Sequence, residues 1–228
     1  YFCIKSVIIV LSYLGGVKME HIKTFYSVEK ETRHGIVIVE GPVAAEQLAT
    51  YTLHEKLTAF RPPKQQHEAL VGIAKLDEGR IIIARNGDMI IGYVTYLYPD
   101  PLERWSEDRI DNMIELGAIE VIQDYRGTGM GKKLLEVSFM GDEMEDYLVI
   151  TTEYYWHWDL KGTGLNVWDY RKMMENMMSV AHFEYYATDD PEITSHPANC
   201  LMARVGKRVG HDTMERFDKL RFRSRYMY

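Results

Sequence analysis

The chain has 228 residues, of which 46% are hydrophobic and 27% charged, which is enough apolar material for the core of one globular domain. Its formal net charge of −7 and the lack of a long basic run argue against a nucleic-acid-binding protein, which needs a basic surface. The two cysteines, Cys3 and Cys200, show no spacing typical of a metal site. We therefore expect a cytoplasmic protein without a bound metal.

The first 18 residues differ from the rest of the chain. Their apolar run, Val7–Leu14, is far shorter than the roughly 20 residues that span a bilayer, and no small-x-small cleavage site follows it. The first methionine is Met19, and the codons of Gly15–Lys18 would suit a ribosome-binding site. We interpret residues 1–18 as a non-native leader or a mis-assigned start, with a short membrane anchor as the alternative, and residues 19–228 as one domain.

The predicted elements alternate between strands and helices, as judged from hydrophobic periodicity and turn residues. In the first half we predict a strand at 34–42, helices at 44–56 and 64–76, a hairpin of 80–85 and 89–98, and a strand at 114–122. In the second half we predict a helix from Gly129, strands at 147–152 and 183–186, helices at 167–181, 197–205 and 212–219, and a strand over 220–228. Interleaved strands and helices with a hairpin predict an α/β fold with a mixed sheet.

The segment most informative about chemistry is the strand at 114–122, the loop Gln123–Thr128 and the helix that begins at Gly129. Glycines before a helix let backbone N–H groups approach an anion, and the N-terminus of the helix adds partial positive charge. Arg126, Lys132 and Lys133 add full charges. The segment therefore predicts a pyrophosphate site in an otherwise acidic chain.

Two common pyrophosphate motifs do not fit this segment. A P-loop requires a glycine where Arg126 stands and a serine or threonine where Lys133 stands, so its magnesium ligand is missing. A Rossmann loop has the spacing G-x-G-x-x-G in an opening βαβ unit, whereas Gly127, Gly129 and Gly131 follow a hairpin at a spacing of two.

The pattern R-x-x-G-x-G, formed by Arg126, Gly129 and Gly131, instead resembles the acetyl-CoA signature of the GNAT superfamily of acetyltransferases. The resemblance implies the GNAT fold, with a mixed, mostly antiparallel central sheet flanked by helices, and acetyl-CoA as co-substrate. It also implies that Ile119 and Val121 lie at the strand edge that pairs with the pantetheine arm and polarises the thioester. The CoA pyrophosphate would be bound by the amides of Arg126, Gly127, Thr128, Gly129, Met130, Gly131 and Lys132.

Acetyl transfer to an amine requires a base, because a lysine ammonium with a pKa of roughly 10.4 leaves only about one group in 2,500 neutral at pH 7. Glu115 and Glu120 lie on the key strand, five residues apart and hence on opposite faces. In histone-type members of the superfamily the catalytic glutamate lies eleven residues before the signature, which corresponds to Glu115 here. We favour Glu115 as the general base and Glu120 as second candidate; each could instead be a solvated or salt-bridged glutamate.

The general acid is harder to assign. Many superfamily members carry a tyrosine in the last helix that protonates the departing thiolate, and Phe217 stands at the corresponding position here. A thiol with a pKa of roughly 8.5 can leave with little protonation. Alternatively Tyr154 or Tyr155 supplies the proton, and the sequence leaves this choice open.

Most of the chain from Met19 onward resembles the acetoin-utilisation acetyltransferases of Gram-positive bacteria, a protein family within the superfamily. The resemblance lies in residues 57–70, 79–85, 91–107, 114–121, 151–162 and 195–207. It implies that the acceptor is an active-site lysine of acetyl-CoA synthetase, which acetylation switches off. Two alternatives stay open: an acetyltransferase of small-molecule amines, and a non-catalytic acyl-CoA-sensing regulator. The sequence does not define an oligomeric state.

Overall fold

A computed structural model describes residues 7–8 and 19–223 of the chain. Its strands are β1 Val7–Ile8, β2 Lys23–Thr24, β3 Tyr26–Thr32, β4 Gly35–Gly41, β5 Thr52–Leu53, β6 Arg80–Asn86, β7 Met89–Leu97, β8 Met113–Val121, β9 Leu148–Glu153, β10 Glu184–Tyr186 and β11 Cys200–Val205. Its α-helices are α1 Ala45–Leu48, α2 Pro63–Ala74, α3 Met130–Ser138, α4 Leu160–Thr163, α5 Val167–Met178, α6 Pro191–Thr194 and α7 His211–Arg221.

The main sheet has nine strands within the described ranges, in the order β10-β11-β9-β8-β7-β6-β4-β3, with β5 added alongside β7. Pairs β3–β4, β4–β6, β6–β7, β9–β11 and β10–β11 are antiparallel, whereas β5–β7 and β8–β9 are parallel. The predicted α/β class with a mixed, mostly antiparallel sheet flanked by helices is therefore confirmed. Strands β1 and β2 form a separate antiparallel pair.

The chain divides into two compact units, and β8 contributes to both. The first unit comprises residues 1–97 and 116–144. Its central feature is the predicted hairpin of β6 and β7, whose turn places Gly87 at φ 56°, a conformation that glycine adopts without steric cost. In β4 the apolar side chains Val37 and Val39 alternate with a less buried residue, whereas β6 is buried continuously from Arg80 to Ala84. Val37, Val39, Ile81 and Ile83 are all fully buried.

The second unit comprises residues 98–115 and 145–228. One apolar cluster holds it together, with members from β8, β9, β11 and α7 and from the segments that connect them. The cluster consists of Trp105, Ile110, Met113, Leu148, Ile150, Ile193, Leu201, Ala203, Phe217 and Leu220. Tyr154, Tyr186, Val209 and Met214 pack against it.

Three predicted elements were wrong, each because the apolar pattern was ambiguous. The helix predicted at 197–205 is strand β11, a buried apolar run that lies between β9 and β10 in the sheet. The helix predicted at 44–56 ends at Leu48, because β5 pairs with β7 instead. The strand predicted at 220–228 begins in helix α7, which continues to Arg221, and its last five residues lie outside the described ranges. Most of the predicted leader, residues 1–18, also lies outside them.

Candidate active site

The loop after β8 has the conformation that a glycine-rich anion site requires. A short 3-10 turn at Gln123–Tyr125 leads into Gly127 at φ 75° and Gly129 at φ 76°, both in the left-handed region. Thr128 closes the turn through its amide and its hydroxyl, which donate to the Tyr125 carbonyl at 3.4 Å and 2.6 Å. Both glycines thus have a backbone conformation that other residues rarely adopt, and their role in anion binding stays a prediction.

Helix α3 begins immediately after this turn and has no side-chain cap at its N-terminus. Its N-cap residue is Gly129, which offers no hydrogen-bonding side chain to the first amides. The first-turn N–H groups of any helix lack carbonyl partners within it, and they carry the positive end of the helix dipole. Met130, Gly131 and Lys132 occupy that first turn, so the predicted donors are placed where they can meet an anion.

Basic side chains surround the loop within the first unit. A Cβ atom added to Gly129 would lie 3.7 Å from the Lys30 Nζ, so the ammonium of β3 approaches the loop closely. Arg126 is exposed and donates from Nε to the Val121 carbonyl at 3.2 Å. Arg33 donates to the backbone carbonyl of Asp124 at 2.9 Å. Sequence reasoning found Arg126 but missed Lys30 and Arg33, because they reach the loop only through the β3–β4 hairpin.

Glu120 is buried in the first unit, and donors occupy both of its carboxylate oxygens. Its Oε1 accepts the backbone N–H groups of Thr58 and Ala59 at 2.8 Å and 2.9 Å. Its Oε2 accepts the Tyr93 hydroxyl at 2.8 Å. The carboxylate thus ties the segment after β5 to strands β7 and β8. Gly92 lets β7 approach β8 closely at this point, since a Cβ there would lie 3.0 Å from the backbone carbonyl oxygen of Glu120.

Glu115 lies in the second unit in very different surroundings. It is half-buried, and its one described hydrogen bond comes from the Thr152 hydroxyl at a long 3.4 Å. Burial, followed by the neighbouring charge of Glu103, raises the pKa of its carboxyl to about 8; the charges of Asp100 and Glu153 act in the same direction. A carboxyl group with that pKa can both accept and release a proton near neutral pH.

A second carboxyl group with a raised pKa lies nearby on β9. Burial raises the pKa of Glu153 to about 7, although its oxygen accepts the Trp158 indole N–H at 3.1 Å. Aromatic rings follow it along the chain: Tyr154 stacks on Trp156 at 4.9 Å, and Tyr155 lies 4.1 Å from the His196 ring. Tyr154 and Tyr155, the two alternative proton donors, therefore both lie in a group of packed aromatic rings.

Phe217, which stands where many superfamily members have a tyrosine, is part of the apolar cluster of the second unit. Its side chain is not exposed at all, and its ring lies 6.2 Å from that of Trp105 and 5.7 Å from that of Tyr186. A hydroxyl at this position would need a buried partner. The absence of a hydroxyl at Phe217 therefore fits its packing.

The structure places the predicted residues in both units: Glu115 on the first part of β8, and Ile119, Glu120 and Val121 on the last part. Ile119 and Val121 are half-buried. The described residues contain no group of three or more His, Cys, Asp or Glu side chains that could hold a metal ion. In the part of the chain that the structure describes, no helix has the length and apolar character needed to cross a membrane.

Comparisons with known proteins agree with this arrangement. Residues 48–148 match the Acetyltransferase (GNAT) family. The acetoin utilization protein AcuA of Bacillus subtilis (strain 168) is 63% identical over 210 residues, which are 92% of this chain and 100% of that protein. AcuA of Bacillus licheniformis is 62% identical over the same shares of the two chains. The crystal structure of an acetoin utilization protein from Exiguobacterium sibiricum 255-15 has a TM-score of 0.88 at 61% identity, covering 90% of this chain and 98% of that one.

Proposed function

Since the chain belongs to the GNAT acetyltransferase family and is an acetyl-CoA-dependent N-acetyltransferase, we propose that its acceptor is a lysine side chain of a protein, namely acetyl-CoA synthetase, which the modification inactivates. The observation that carries this proposal is the high identity to acetoin utilization proteins over their whole length. The carboxyl groups near Glu115, which suit a cationic acceptor, support it independently.

The loop between β8 and α3 would hold the CoA pyrophosphate. Two glycines at positive φ, an uncapped helix N-terminus and the nearby ammonium of Lys30 support this assignment. Of the predicted amides, those of Gly127, Gly129, Met130, Gly131 and Lys132 are the donors that we assign. The amides of Arg126 and Thr128 donate within the turn, to the Gln123 carbonyl at 3.1 Å and the Tyr125 carbonyl at 3.4 Å. The backbone of Ile119 and Val121 would pair with the pantetheine arm, and an N–H group there would stabilise the oxyanion that forms at the thioester.

Glu115 would remove the proton from the acceptor ammonium. An ordinary glutamate lies roughly 6 pKa units below a lysine ammonium, so the proton transfer is strongly uphill. The raised pKa of Glu115, about 8, narrows that gap to roughly 2. The neutral amine then attacks the thioester carbonyl, and the tetrahedral intermediate collapses as the C–S bond breaks. The departing CoA thiolate takes up the second proton of the nitrogen, so the products are the amide and the CoA thiol. Glu120 stays the second candidate for the base, although its oxygens already accept three hydrogen bonds.

The direct experiment combines the purified chain with acetyl-CoA and purified acetyl-CoA synthetase. We expect one lysine of each synthetase molecule to gain the mass of one acetyl group, about 42 Da. The activity of the synthetase should fall in parallel. A synthetase with that lysine replaced by arginine should not be modified. The Glu115→Gln variant of the chain should bind acetyl-CoA as the wild type does but leave the synthetase active.

Other outcomes would select the alternatives. Thiol release with polyamines or aminoglycosides, without modification of the synthetase, would indicate an acetyltransferase of small-molecule amines. Inhibition of the synthetase without acetyl-lysine, retained in Glu115→Gln, would indicate an acyl-CoA-sensing regulator. Either result would refute the proposed acceptor.

A further inference from the structure

Three residues of the second unit lie in one row on the same face of its sheet. Strands β8 and β9 are parallel, and Glu115 pairs in register with Ile150. Side chains alternate along a strand, so Thr152 and Tyr154, two and four residues beyond Ile150, share the face of Glu115. Tyr154 follows the last residue of β9 but keeps an extended backbone at φ −116° and ψ 123°, which preserves the alternation.

Thr152 lies in the middle of this row, between Glu115 and Tyr154. The Thr152 hydroxyl lies 3.4 Å from the Glu115 Oε1. Thr152 also acts on Tyr154, two residues further along the same face: a side-chain interaction with the Thr152 hydroxyl lowers the pKa of Tyr154, against the larger raising effect of burial. A threonine hydroxyl has one proton and two lone pairs, so it can donate to one of these neighbours while it accepts from the other. Thr152 is therefore a bridge between the proposed base and a tyrosine hydroxyl.

Packing holds the tyrosine at the end of the row. The Tyr154 ring packs against the apolar cluster that contains Phe217, and it stacks on Trp156 at 4.9 Å. The Tyr154 side chain thus brings a hydroxyl group next to the apolar cluster, in which the buried Phe217 has none. This arrangement differs from a tyrosine supplied by the last helix, because the hydroxyl comes from the strand adjacent to Glu115.

We propose that Thr152 and Tyr154 form a proton relay that regenerates the Glu115 carboxylate after each acetyl transfer. The proposal rests on the proposed function, in which Glu115 is the base. Once Glu115 holds the acceptor's proton, its O–H bond breaks as a new bond forms to the Thr152 oxygen. Thr152 passes its own proton to the Tyr154 oxygen, and Tyr154 releases its own to water. One proton enters at Glu115 and one leaves at Tyr154, so every group in the row ends as it began.

The electrostatics of the row keep Tyr154 in the form that the relay needs. Burial, and then the charges of Glu192 and Asp190 on and beside α6, raise the pKa of Tyr154 well above its usual range. The tyrosine therefore stays neutral at working pH, as a donor rather than an anion. The other carboxyl groups that act on this row are Glu103 and Asp100 from the β7–β8 connection and Glu153 from β9.

The test measures steady-state kinetics of Thr152→Val and Tyr154→Phe, which remove one hydroxyl each. Because loss of one general acid–base contribution costs about 10²-fold, we expect kcat to fall by one to two orders of magnitude while KM for acetyl-CoA stays constant. Thr152→Ser keeps the hydroxyl and should recover most of the rate. Tyr185→Phe is the matched control, since Tyr185 lies exposed on β10, and its rate should equal that of the wild type.

The outcomes separate the relay from the proposed function. If Glu115→Gln is inactive while Thr152→Val and Tyr154→Phe keep kcat within about threefold of the wild type, the relay is wrong and the base stands. If Glu115→Gln is fully active, the base assignment fails first. A thermal unfolding scan accompanies each variant; should Thr152→Val not fold, Tyr154→Phe decides alone, and equal rates for it and Tyr185→Phe would overturn the relay.

Discussion

The two parts of strand β8 each carry a glutamate, and the surroundings of the two carboxyl groups differ. Glu120 is the more deeply buried of the two, yet two backbone N–H groups and a tyrosine hydroxyl stabilise its charge. Glu115 is less buried, but its one described donor is distant and its charged neighbours are carboxyl groups. Burial is the largest cause of the raised pKa of Glu115, and the nearby donors and charges decide how far burial is offset.

The difference follows from which segments face each residue. Around Glu120, the chain after β5 turns two amides toward the carboxylate, which makes it an anchor for that segment. Around Glu115, the neighbouring strand supplies only a threonine hydroxyl, and the connection before β8 supplies Glu103 and Asp100. The first environment offers three hydrogen-bond donors to the carboxylate, whereas the second favours a carboxyl group that titrates near neutrality.

The largest expected effect separates the two glutamates by rate. Glu115→Gln removes the only group in the second unit that we assign as base, so the rate of acetyl transfer should fall about 10²- to 10⁴-fold. Thiol release measured with saturating acetyl-CoA gives this rate, and calorimetry should find unchanged acetyl-CoA affinity. Glu46→Gln, an exposed carboxyl on α1, provides the matched control and should retain full activity. Loss of acetyl-CoA affinity in Glu115→Gln would argue for a structural role instead.

The pH dependence sharpens the same comparison. With the pKa of Glu115 at about 8, the rate of the wild type relative to Glu115→Gln should rise by about tenfold between pH 7 and 9 and then level. The ionisation of the acceptor amine affects both rates equally, so its effect cancels in the ratio. A ratio that is flat over this range would mean that Glu115 does not titrate there.

Stability should change with pH in a direction that also follows from this pKa. The folded protein holds the Glu115 proton up to about pH 8, whereas the unfolded chain releases it near 4.5. The stabilisation that the protonated Glu115 contributes is therefore fully present below pH 4.5, and it is lost as the pH rises to about 8. Relative to Glu115→Gln, the free energy of unfolding of the wild type should decrease from pH 5 to 8, as urea unfolding can measure. An increase over that interval would contradict the assignment.

At Glu120 the expected loss is of stability rather than rate. Glu120→Gln keeps an acceptor for the amides of Thr58 and Ala59 but removes the charge that strengthens those bonds, so we expect a loss of about 2 kcal/mol in the free energy of unfolding. The rate of the folded variant should fall less than tenfold. At pH 8 the two glutamine variants should thus shift stability in opposite directions. A hundredfold loss of rate in folded Glu120→Gln would move the base to Glu120.

The fold was largely predictable because its strongest patterns are local. The hairpin of β6 and β7, helix α3 and the key strand β8 each combine clear periodicity with a turn or a glycine signal. Strand β11 was mistaken for a helix because an apolar run that is buried in the middle of a sheet carries no alternation. Its pairing with the preceding strand β10 and with β9, which is distant in sequence, fixes its structure.

In the candidate site, too, local patterns could be found from the sequence, whereas contacts between distant segments could not. The sequence predicts Gly127 and Gly129 from the glycine-rich pattern, and it predicts Glu115 from its position eleven residues before Arg126, as the resemblance to histone-type acetyltransferases implies; these roles stay predictions. Thr152 could not be predicted, since its contact with Glu115 depends on the parallel register of two strands joined by a long connection. The donors that occupy Glu120 were equally hidden, because Thr58 belongs to a segment without a regular pattern.

The smallest expected effect concerns the loop that follows the last part of β8. At φ 75° Gly127 is in the left-handed region, yet no atom lies within 4 Å of an added Cβ, so Gly127→Ala tests backbone strain without a clash. That strain is roughly 1–2 kcal/mol, and relaxing it would turn the loop amides away from the pyrophosphate. We expect acetyl-CoA affinity to weaken by about fivefold in calorimetry, with kcat at saturation nearly unchanged.

The control for this loop is a glycine without such a constraint. Gly72 lies in helix α2, has no atom within 4 Å of an added Cβ, and does not require a positive φ. Gly72→Ala should raise the free energy of unfolding by up to about 1 kcal/mol through helix propensity and leave acetyl-CoA affinity unchanged. If Gly127→Ala bound acetyl-CoA as tightly as Gly72→Ala and the wild type, the loop after β8 would lose its assigned role in binding. Glu115 and its row would then be the only part of the proposal that still stood on its own geometry, because their contacts lie entirely within the second unit.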